Sequence, residues 1–313
     1  MKIAVLLYTK NGGVYLAELL QSILNQDIAA KAELKIIVRD DGSTDNTRSI
    51  LDSFKNDGKL TWYKGAAQGM TKSYWELMEK AEEADYYAFA EQDDIWKPNK
   101  LSRAVKYLET KAIIEGEETE ISDKPMLYCG EFEAAGPSGK PVGIKRNPAN
   151  KFVDFEHSLV FSSKPGCTYV FNRSALKELR RYDVNSLYDA EYDALARNIM
   201  FITGDVVFDR VPVVLRRKSK IGPEYLGGLS GMIKLYQELH SGKVFNKRSR
   251  MAKALLEAYA EDLKGFQRVE ALKQIGNYKD DPTEREKLAS NMKFSTGSYV
   301  DKWFKSAIKS NKL

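Results

Sequence analysis

The stretch Tyr86–Leu101, YYAFAEQDDIWKPNKL, is apolar and aromatic in its first half and polar in its second. The first half predicts a buried strand. Two adjacent acids, Asp93 and Asp94, follow it, and Pro98 then suits the first turn of a helix with apolar residues at helical spacing. The sequence therefore predicts two carboxylates at the point where a buried strand ends and a helix begins.

Two carboxylates in this position have two interpretations. Ligands of open α/β sheets bind just outside the carboxyl ends of the strands, and acids held together there repel unless a cation or hydroxyl donors compensate them. Hard oxygen ligands of this kind suit Mg²⁺ or Mn²⁺. The alternative is an N-cap, which accounts for one of the two acids but not for both.

The segment Gln92–Leu101, Gln-Asp-Asp-Ile-Trp-x-Pro-x-Lys-Leu, resembles the metal-binding segment of the family 2 inverting glycosyltransferases, in particular their rhamnosyltransferase-like branch. The resemblance implies a GT-A fold, a mixed and mostly parallel α/β sheet flanked by helices. It also implies that Asp94, helped by Asp93, holds a divalent cation (Mg²⁺ or Mn²⁺) against the diphosphate of a UDP- or dTDP-sugar. The expected reaction is transfer of a sugar, rhamnose or another hexose, with inversion.

The chain before this segment alternates predicted strands, at residues 3–8, 34–38 and 60–64, with amphipathic helices. This alternation predicts a parallel sheet wound by right-handed crossovers. Neither a G-x-G-x-x-G nor a P-loop follows the first strand, so a nucleotide must be held in another way.

In the resembled family the nucleoside is held by the loop after the first strand, here Thr9 and Asn11, and by the acid after the second strand, here Asp40. Gly69 and Lys72, which follow the third strand, are assigned to the same donor site. The alternative for the segment DDGSTD is a capped turn without a ligand.

A second group of candidates surrounds Asp193. In the resembled branch a His-Asp-Trp-Trp motif begins a helix, its Asp is the general base, and a Gly follows eleven residues later, as Gly204 does here. Tyr replaces that His and Ala-Leu replaces Trp-Trp, so Asp189 stays the runner-up, and an exposed helical acid stays the alternative for either residue. Arg216 is expected to stabilise the departing diphosphate, with its neighbour Arg217 as the alternative.

Cysteine and histidine usage limits the chemistry. Cys129 and Cys167 give no disulfide framework, which is consistent with a reducing cytoplasm. His157 and His240 are far apart, which argues against zinc chemistry and a His-based triad. Cys167 lies in a Gly-Cys-Thr segment like that of the resembled family, and we interpret it as a small buried residue rather than a nucleophile.

The chain has 313 residues and a net charge of +5, with no recognised nucleic-acid module and no apolar run long enough for a membrane span. The resemblance covers roughly residues 1–225. It predicts a catalytic domain at 1–228, with a donor-binding half at 1–108 and an acceptor-side half at 124–228. A helical C-terminal extension is expected at 229–313, with one long amphipathic helix between Met251 and Ile275.

The expected acceptor is a carbohydrate or a lipid-linked saccharide, in bacterial cell-wall, capsular or O-antigen synthesis. The expected location is the cytoplasm, with peripheral contact at the inner membrane face through Trp303, Phe304 and Ile308, which lie among lysines. Two rival functions stay open: a nucleotidyltransferase, which would usually carry a Gly-rich basic loop, and a non-catalytic binding module. The oligomeric state is left open.

Overall fold

The computed structural model describes residues 1–114, 123–143, 154–160, 164–187, 190–217, 243–263, 266–291, 305–306, 308–309 and 311. These residues fall into two compact units. The first lies within Met1–Val142, Lys164–Val184 and Gly204–Lys220, and the second within Gly143–Ser163, Asn185–Thr203 and Ile221–Leu313. The functional boundary expected between 228 and 229 is not tested by this division and stays a prediction.

One mixed sheet forms the first unit. Its eight strands, counted over the described residues, are β1 Lys2–Thr9, β2 Glu33–Asp40, β3 Thr61–Lys64, β4 Tyr86–Glu91, β5 Ile95–Trp96, β6 Met126–Ala135, β7 Tyr169–Asn172 and β8 Asp205–Arg217. They are ordered β3-β2-β1-β4-β7-β6-β8-β5. β7 is antiparallel to both of its neighbours and β5 is antiparallel to β8, whereas the other pairs are parallel. The predicted α/β class is confirmed.

Helices flank the sheet and make up the described part of the second unit. They are α1 Leu16–Leu24, α2 Thr47–Asn56, α3 Met70–Lys80, α4 Lys100–Ile114, α5 Phe155–Val160, α6 Arg173–Arg181, α7 Tyr192–Thr203, α8 Lys243–Ala258, α9 Phe266–Asn277 and α10 Pro282–Asn291. In the first unit α3 packs on β1 and β2, and α4 packs on β6, β7 and β8.

The N-terminal apolar run forms β1, one of the two buried central strands of the sheet. Ile3–Leu7 of β1 and Tyr86–Ala90 of β4 are at most 5% exposed. Strands of parallel sheets, buried on both faces, read as nearly continuous apolar runs. The interpretation of the N-terminus as a first buried strand is therefore confirmed.

The directions of the strands bring one set of ends together. β1, β2, β4, β6 and β8 end at the same edge of the sheet. β7 is antiparallel to both β4 and β6, so the two reversals of direction cancel and β6 runs the same way as β4. β7 contributes its amino end to that edge. This is the edge where α/β sheets bind ligands, and both Asp93 and Asp94 directly follow β4.

The helix expected near Pro98 begins at Lys100, after the short strand β5. Its predicted apolar residues Leu101, Val105 and Leu108 are at most 3% exposed. The helical pattern is confirmed, and its start differs by two residues from Pro98 because β5 first pairs with β8.

The long helix expected between Met251 and Ile275 is wrong. α8 ends at Ala258 and α9 begins at Phe266. The Ser249 hydroxyl donates to the Gly276 carbonyl at 2.6 Å, so the two helices pack side by side. An apolar stripe can be buried by a helix folded back on itself as well as by a continuous helix, and the spacing does not separate the two.

Within the described ranges, no helix is both long enough and apolar enough to cross a membrane. Trp303 and Phe304 lie outside the described residues, while Ile308 is buried. Contact with a membrane surface stays a prediction.

Gly204 allows β8 to begin close to β6, and replacing it should be costly. A Cβ atom at Gly204 would lie 2.7 Å from the Cβ of Pro125 and closer still to its carbonyl oxygen. Since backbone cannot yield easily, we expect Gly204→Ala to lower the free energy of unfolding by about 1–3 kcal/mol, measured from urea unfolding. Gly143→Ala is the control, because a Cβ there meets nothing within 4 Å. Equal midpoints for the two variants would contradict the steric argument.

Candidate active site

Asp94 is the most deeply buried acid at the carboxyl edge of the sheet. Its side chain is 0% exposed, neither carboxylate oxygen accepts a hydrogen bond from an N–H or hydroxyl group of a described residue, and the Cys167 thiol, a weak donor, lies beside it. Burial, and to a smaller extent the charges of Glu91 and Asp93, raise the pKa of Asp94 to about 7, while Arg216 opposes them. A buried carboxyl group without such donors is costly to ionise, which favours its protonated form or a neighbouring cation. The helix-cap interpretation therefore does not hold for Asp94.

Three further side chains surround Asp94. Ligand-type atoms of Glu91, Asp94 and Cys167 lie within 4.8 Å of one another. Arg216, at the end of β8, approaches Glu91 Oε2 through Nη2 at 3.2 Å and donates through Nη1 to Cys167 Sγ at 3.6 Å. Arg216 is thus placed beside the acids, as its assignment to the diphosphate requires.

The buried side chain of Lys100 contacts the backbone that carries this cluster. Its Nζ donates to the carbonyl oxygens of Cys167 at 2.6 Å and Phe89 at 3.3 Å, and it lies 3.2 Å from the ring centroid of Trp96. Burial lowers the pKa of Lys100 to about 7. The first turn of α4 is thereby tied to the end of β4 and to the Gly166–Thr168 turn that precedes β7.

Arg217 faces a different set of partners from Arg216. It donates to the backbone carbonyl of Asp93, pairs with Glu18, and stacks over the Tyr15 ring at 3.8 Å. These contacts hold the backbone of the acidic loop. Of the two neighbouring arginines, Arg216 is therefore the one that lies against the acids.

The loop after β1 is attached to the acidic loop through Gln92. Gln92 Oε1 accepts the Thr9 hydroxyl at 2.6 Å and the Lys10 N–H at 2.8 Å, and its Nε2 donates to the Lys10 carbonyl at 3.0 Å. A Cβ at Gly12 would lie 2.6 Å from the same Oε1 and 2.7 Å from Thr9 Oγ1, so a larger residue there would displace this pair of side chains. Thr9, a predicted donor-site residue, therefore lies beside the predicted metal site.

Asn11 connects the same loop to the segment after β2. Its backbone is left-handed, with φ of 51°, its N–H donates to the Ser43 hydroxyl at 2.8 Å, and its side-chain oxygen accepts the Thr44 N–H at 2.9 Å. The N–H groups of Gly12 and Gly13 donate to Thr47 Oγ1 at 2.8 Å and to the Asp45 carboxylate at 3.0 Å. The DDGSTD segment is therefore a turn that holds the first loop.

The acids after β2 are both engaged by the chain. Asp40 accepts from the N–H and hydroxyl of Ser43, and from Arg48 Nε at 2.7 Å. Asp41 pairs with the fully buried Arg39, which also bonds to α3 and to the loop before it. Both oxygens of Asp40 thus already accept hydrogen bonds, and its assignment to the nucleoside stays a prediction.

Gly69 and Lys72 flank the start of α3. Gly69 has φ of 88°, a conformation that other residues rarely adopt, and a Cβ there would meet nothing within 4 Å. Lys72 is half-buried in the first turn of α3. Their assignment to the donor site stays a prediction.

Asp193, in the second unit, lies in the first turn of α7, as expected. It is 9% exposed, and its Oδ1 lies 2.7 Å from the N–H of Ala194. Glu191, two residues before Asp193, forms an ion pair with the buried Arg248 of α8 at 2.9 Å. The alternative of an exposed acid does not hold for Asp193, whereas Asp189 lies outside the described residues.

A family model described as Glycosyl transferase family 2 matches residues 4–179, more than half of the chain. The chain belongs to this family. The dTDP-rhamnosyl transferase RfbG of Shigella flexneri is 26% identical over 188 residues, 57% of this chain and 57% of that protein. The poly(ribitol-phosphate) β-N-acetylglucosaminyltransferase TarS of Staphylococcus aureus is 30% identical over 193 residues, 61% of this chain and 31% of that protein.

This member of the family also has the fold of a solved relative. The structure of S. aureus TarS 1–349 in complex with UDP-GlcNAc superposes with a TM-score of 0.58 at 18% identity, covering 100% of this chain and 80% of that one. The matches to the two curated relatives span about a half and a third of their own lengths. The likeness confirms the predicted GT-A-like architecture.

Sequence reasoning missed Glu91 and gave Cys167 only a packing role. Glu91 is the last residue of β4, so it lies at the same edge of the sheet as the acids that follow. Cys167 reaches that edge because β7 runs antiparallel to β4 and begins beside its end. The order of the strands, which no local pattern encodes, makes them neighbours.

Proposed function

We propose that this protein transfers a sugar from a nucleoside-diphosphate donor to a carbohydrate hydroxyl, with inversion of the anomeric carbon. The observation that carries the proposal is Asp94, a carboxylate buried without N–H or hydroxyl donors among the described residues, at the ligand-binding edge of a family 2 sheet. Such a carboxylate is costly to fold unless a substrate-bound cation compensates it.

The proposed donor is a UDP- or dTDP-sugar carrying rhamnose or another hexose. Two relatives support this choice, since RfbG is named a dTDP-rhamnosyl transferase and TarS was solved with UDP-GlcNAc. Thr9, Asn11 and Asp40 would hold the nucleoside, because the loops after β1 and β2 meet there. Gly69 and Lys72 would complete this donor site from the start of α3.

Asp94, with Asp93, would hold a Mg²⁺ or Mn²⁺ ion, and the carboxylate donor set fits such an ion. When bound, the ion offsets charge on the diphosphate leaving group. Arg216 lies within reach of the same acids and would hydrogen-bond the diphosphate oxygens, which stabilises the leaving group further. This placement supports the proposed catalytic role of Arg216.

Asp193 would accept the proton of the attacking hydroxyl, with Asp189 as the second choice. A direct displacement needs a general base but no enzyme nucleophile. The partial burial of Asp193 in the first turn of α7 supports the role, because a base must be held in one position to act on its substrate.

The proposed acceptor is a carbohydrate or a lipid-linked saccharide of a bacterial surface polysaccharide. TarS, whose name specifies a poly(ribitol-phosphate) acceptor, supports this class. We propose action in the cytoplasm, at the inner face of the membrane, where lipid-linked acceptors are presented.

A panel of nucleotide sugars tests the function. With Mn²⁺ and a cognate donor at about 100 times its Kd, we expect stabilisation by about 2.7 kcal/mol, seen as a higher melting temperature. Adding acceptor should then release nucleoside diphosphate. Protection without release would indicate a binding module, and release of pyrophosphate would indicate a nucleotidyltransferase; either outcome would overturn the proposal.

A further inference from the structure

The cluster around Asp94 contains a sulfur atom that the proposed function does not use. Cys167 Sγ lies within 4.8 Å of carboxylate oxygens of both Glu91 and Asp94. The thiol is fully buried, and Asp94 is fully buried with two oxygens that accept from no N–H or hydroxyl group among the described residues. An acidic pair alone offers a cation only hard oxygen ligands. A thiol at this position adds a soft sulfur ligand, which changes the kind of cation that fits.

We infer that Cys167 is a direct metal ligand, with Asp94 and Glu91, and that it shifts the preference of the site from Mg²⁺ toward thiophilic cations such as Co²⁺ and Zn²⁺. The inference deepens the proposed metal dependence and rests on it for its role in catalysis. The binding of a cation by these three residues is testable without any catalysis.

The spacing fits one ion. Metal–oxygen bonds of about 2.1 Å and metal–sulfur bonds of about 2.3 Å place the ligand atoms of one tetrahedral ion about 3.4–3.6 Å apart. The three ligand atoms lie within 4.8 Å of one another, so they need to close by about 1.4 Å at most. Two carboxylates and one thiolate leave further coordination positions for diphosphate oxygens or water.

The surroundings hold Cys167 in position for this role. Lys100 Nζ bonds to the Cys167 carbonyl at 2.6 Å, and the Gly166–Thr168 turn that carries the thiol leads directly into β7. Besides these carboxylates, Arg216 is a polar neighbour of the sulfur, with Nη1 at 3.6 Å, a long contact that a cation can replace. Released from Cys167, the Arg216 guanidinium remains close enough to Glu91 to face a diphosphate.

Proton balance is simple. Burial and the neighbouring carboxylates raise the pKa of the Cys167 thiol, so the sulfur carries a proton before the cation arrives. The S–H bond breaks as the S–metal bond forms, and the proton goes to solvent. Thiolate is a soft ligand that favours Co²⁺ and Zn²⁺, whereas Mg²⁺ retains oxygen ligands.

Co²⁺ provides a spectroscopic test on the full chain. Metal-free protein titrated with Co²⁺ should develop a thiolate-to-cobalt charge-transfer band in the near ultraviolet. Cys129→Ser, which removes the other buried cysteine, should keep that band, whereas Cys167→Ser should lose it. Loss of the sulfur ligand should also weaken Co²⁺ binding by about tenfold or more and leave Mg²⁺ binding nearly unchanged.

Two outcomes would overturn the inference: wild-type protein that binds Co²⁺ without the band, or a band that survives in Cys167→Ser. If Cys167→Ser fails to fold, X-ray absorption of Co²⁺-loaded Cys129→Ser decides instead, since a cobalt–sulfur distance of about 2.3 Å must then come from Cys167. A band without sugar transfer would refute the proposed function alone. Transfer with a sulfur-free cobalt site would refute only the role of Cys167.

Discussion

Asp94→Asn is expected to abolish sugar transfer and to weaken nucleotide-sugar binding in the presence of Mn²⁺, while the protein remains folded. The substitution preserves the size of a side chain that is 0% exposed but removes the charge that would hold the cation. Without the cation, nothing would offset the repulsion between the diphosphate and the negative charges of Glu91 and Asp93. The measurements are the initial rate of transfer, the Kd of the donor by calorimetry, and the circular dichroism spectrum.

Asp57→Asn is the matched control, because Asp57 is an exposed acid of the first unit that pairs only with Lys59 among the contacts observed. It should retain wild-type transfer and wild-type donor affinity. A second arm removes the metal: wild-type protein in EDTA should behave as Asp94→Asn does. Full activity in EDTA, or in the Asp94→Asn variant, would refute the metal assignment.

Asp193→Asn should lower the turnover of donor with acceptor by about 10²–10⁴-fold and leave the Kd of the donor nearly unchanged. A general base acts on the acceptor proton in the transition state, and it contributes little to binding of the donor in the ground state. Because Asn can still receive the Ala194 N–H as Asp193 does, the start of α7 should be preserved. Steady-state kinetics with both substrates, together with calorimetry of the donor alone, measure the two effects.

The matched variant is Asp189→Asn, which should cost far less. An inactive Asp189→Asn beside an active Asp193→Asn would show that the family motif was aligned one helical turn away from its true position. Full activity in both variants would place the general base outside this segment.

Much of the fold follows from local patterns in the sequence. The apolar runs of β1 and β4 and the helical spacing behind Pro98 are strong because burial repeats over several residues. The two acids after β4 could also be placed, since α/β sheets bind ligands beyond their strand ends.

Contacts between distant segments could not be predicted. Glu91 and Arg216 lie at the ends of β4 and β8, and Cys167 lies in the turn before β7, so their convergence depends on the inserted antiparallel strand β7. Ser43 is a residue type that often caps helices, yet α2 begins only at Thr47. The Ser43 hydroxyl instead donates to Asp40 and accepts the Asn11 N–H. Tertiary hydrogen bonds thus outcompete the local preference.

Four consecutive backbone N–H groups after β1, from Lys10 to Gly13, all donate to side chains of other segments. In P-loops and Rossmann folds such groups are left for phosphates, so that the main chain itself is the anion receptor. Here these N–H groups already donate to side chains of the protein, which has two effects. The loop is already ordered, so a ligand loses little conformational entropy there on binding. A nucleotide bound beside this loop would therefore need the counter-charge for its phosphates from side chains or from a cation, because these four N–H groups already have partners.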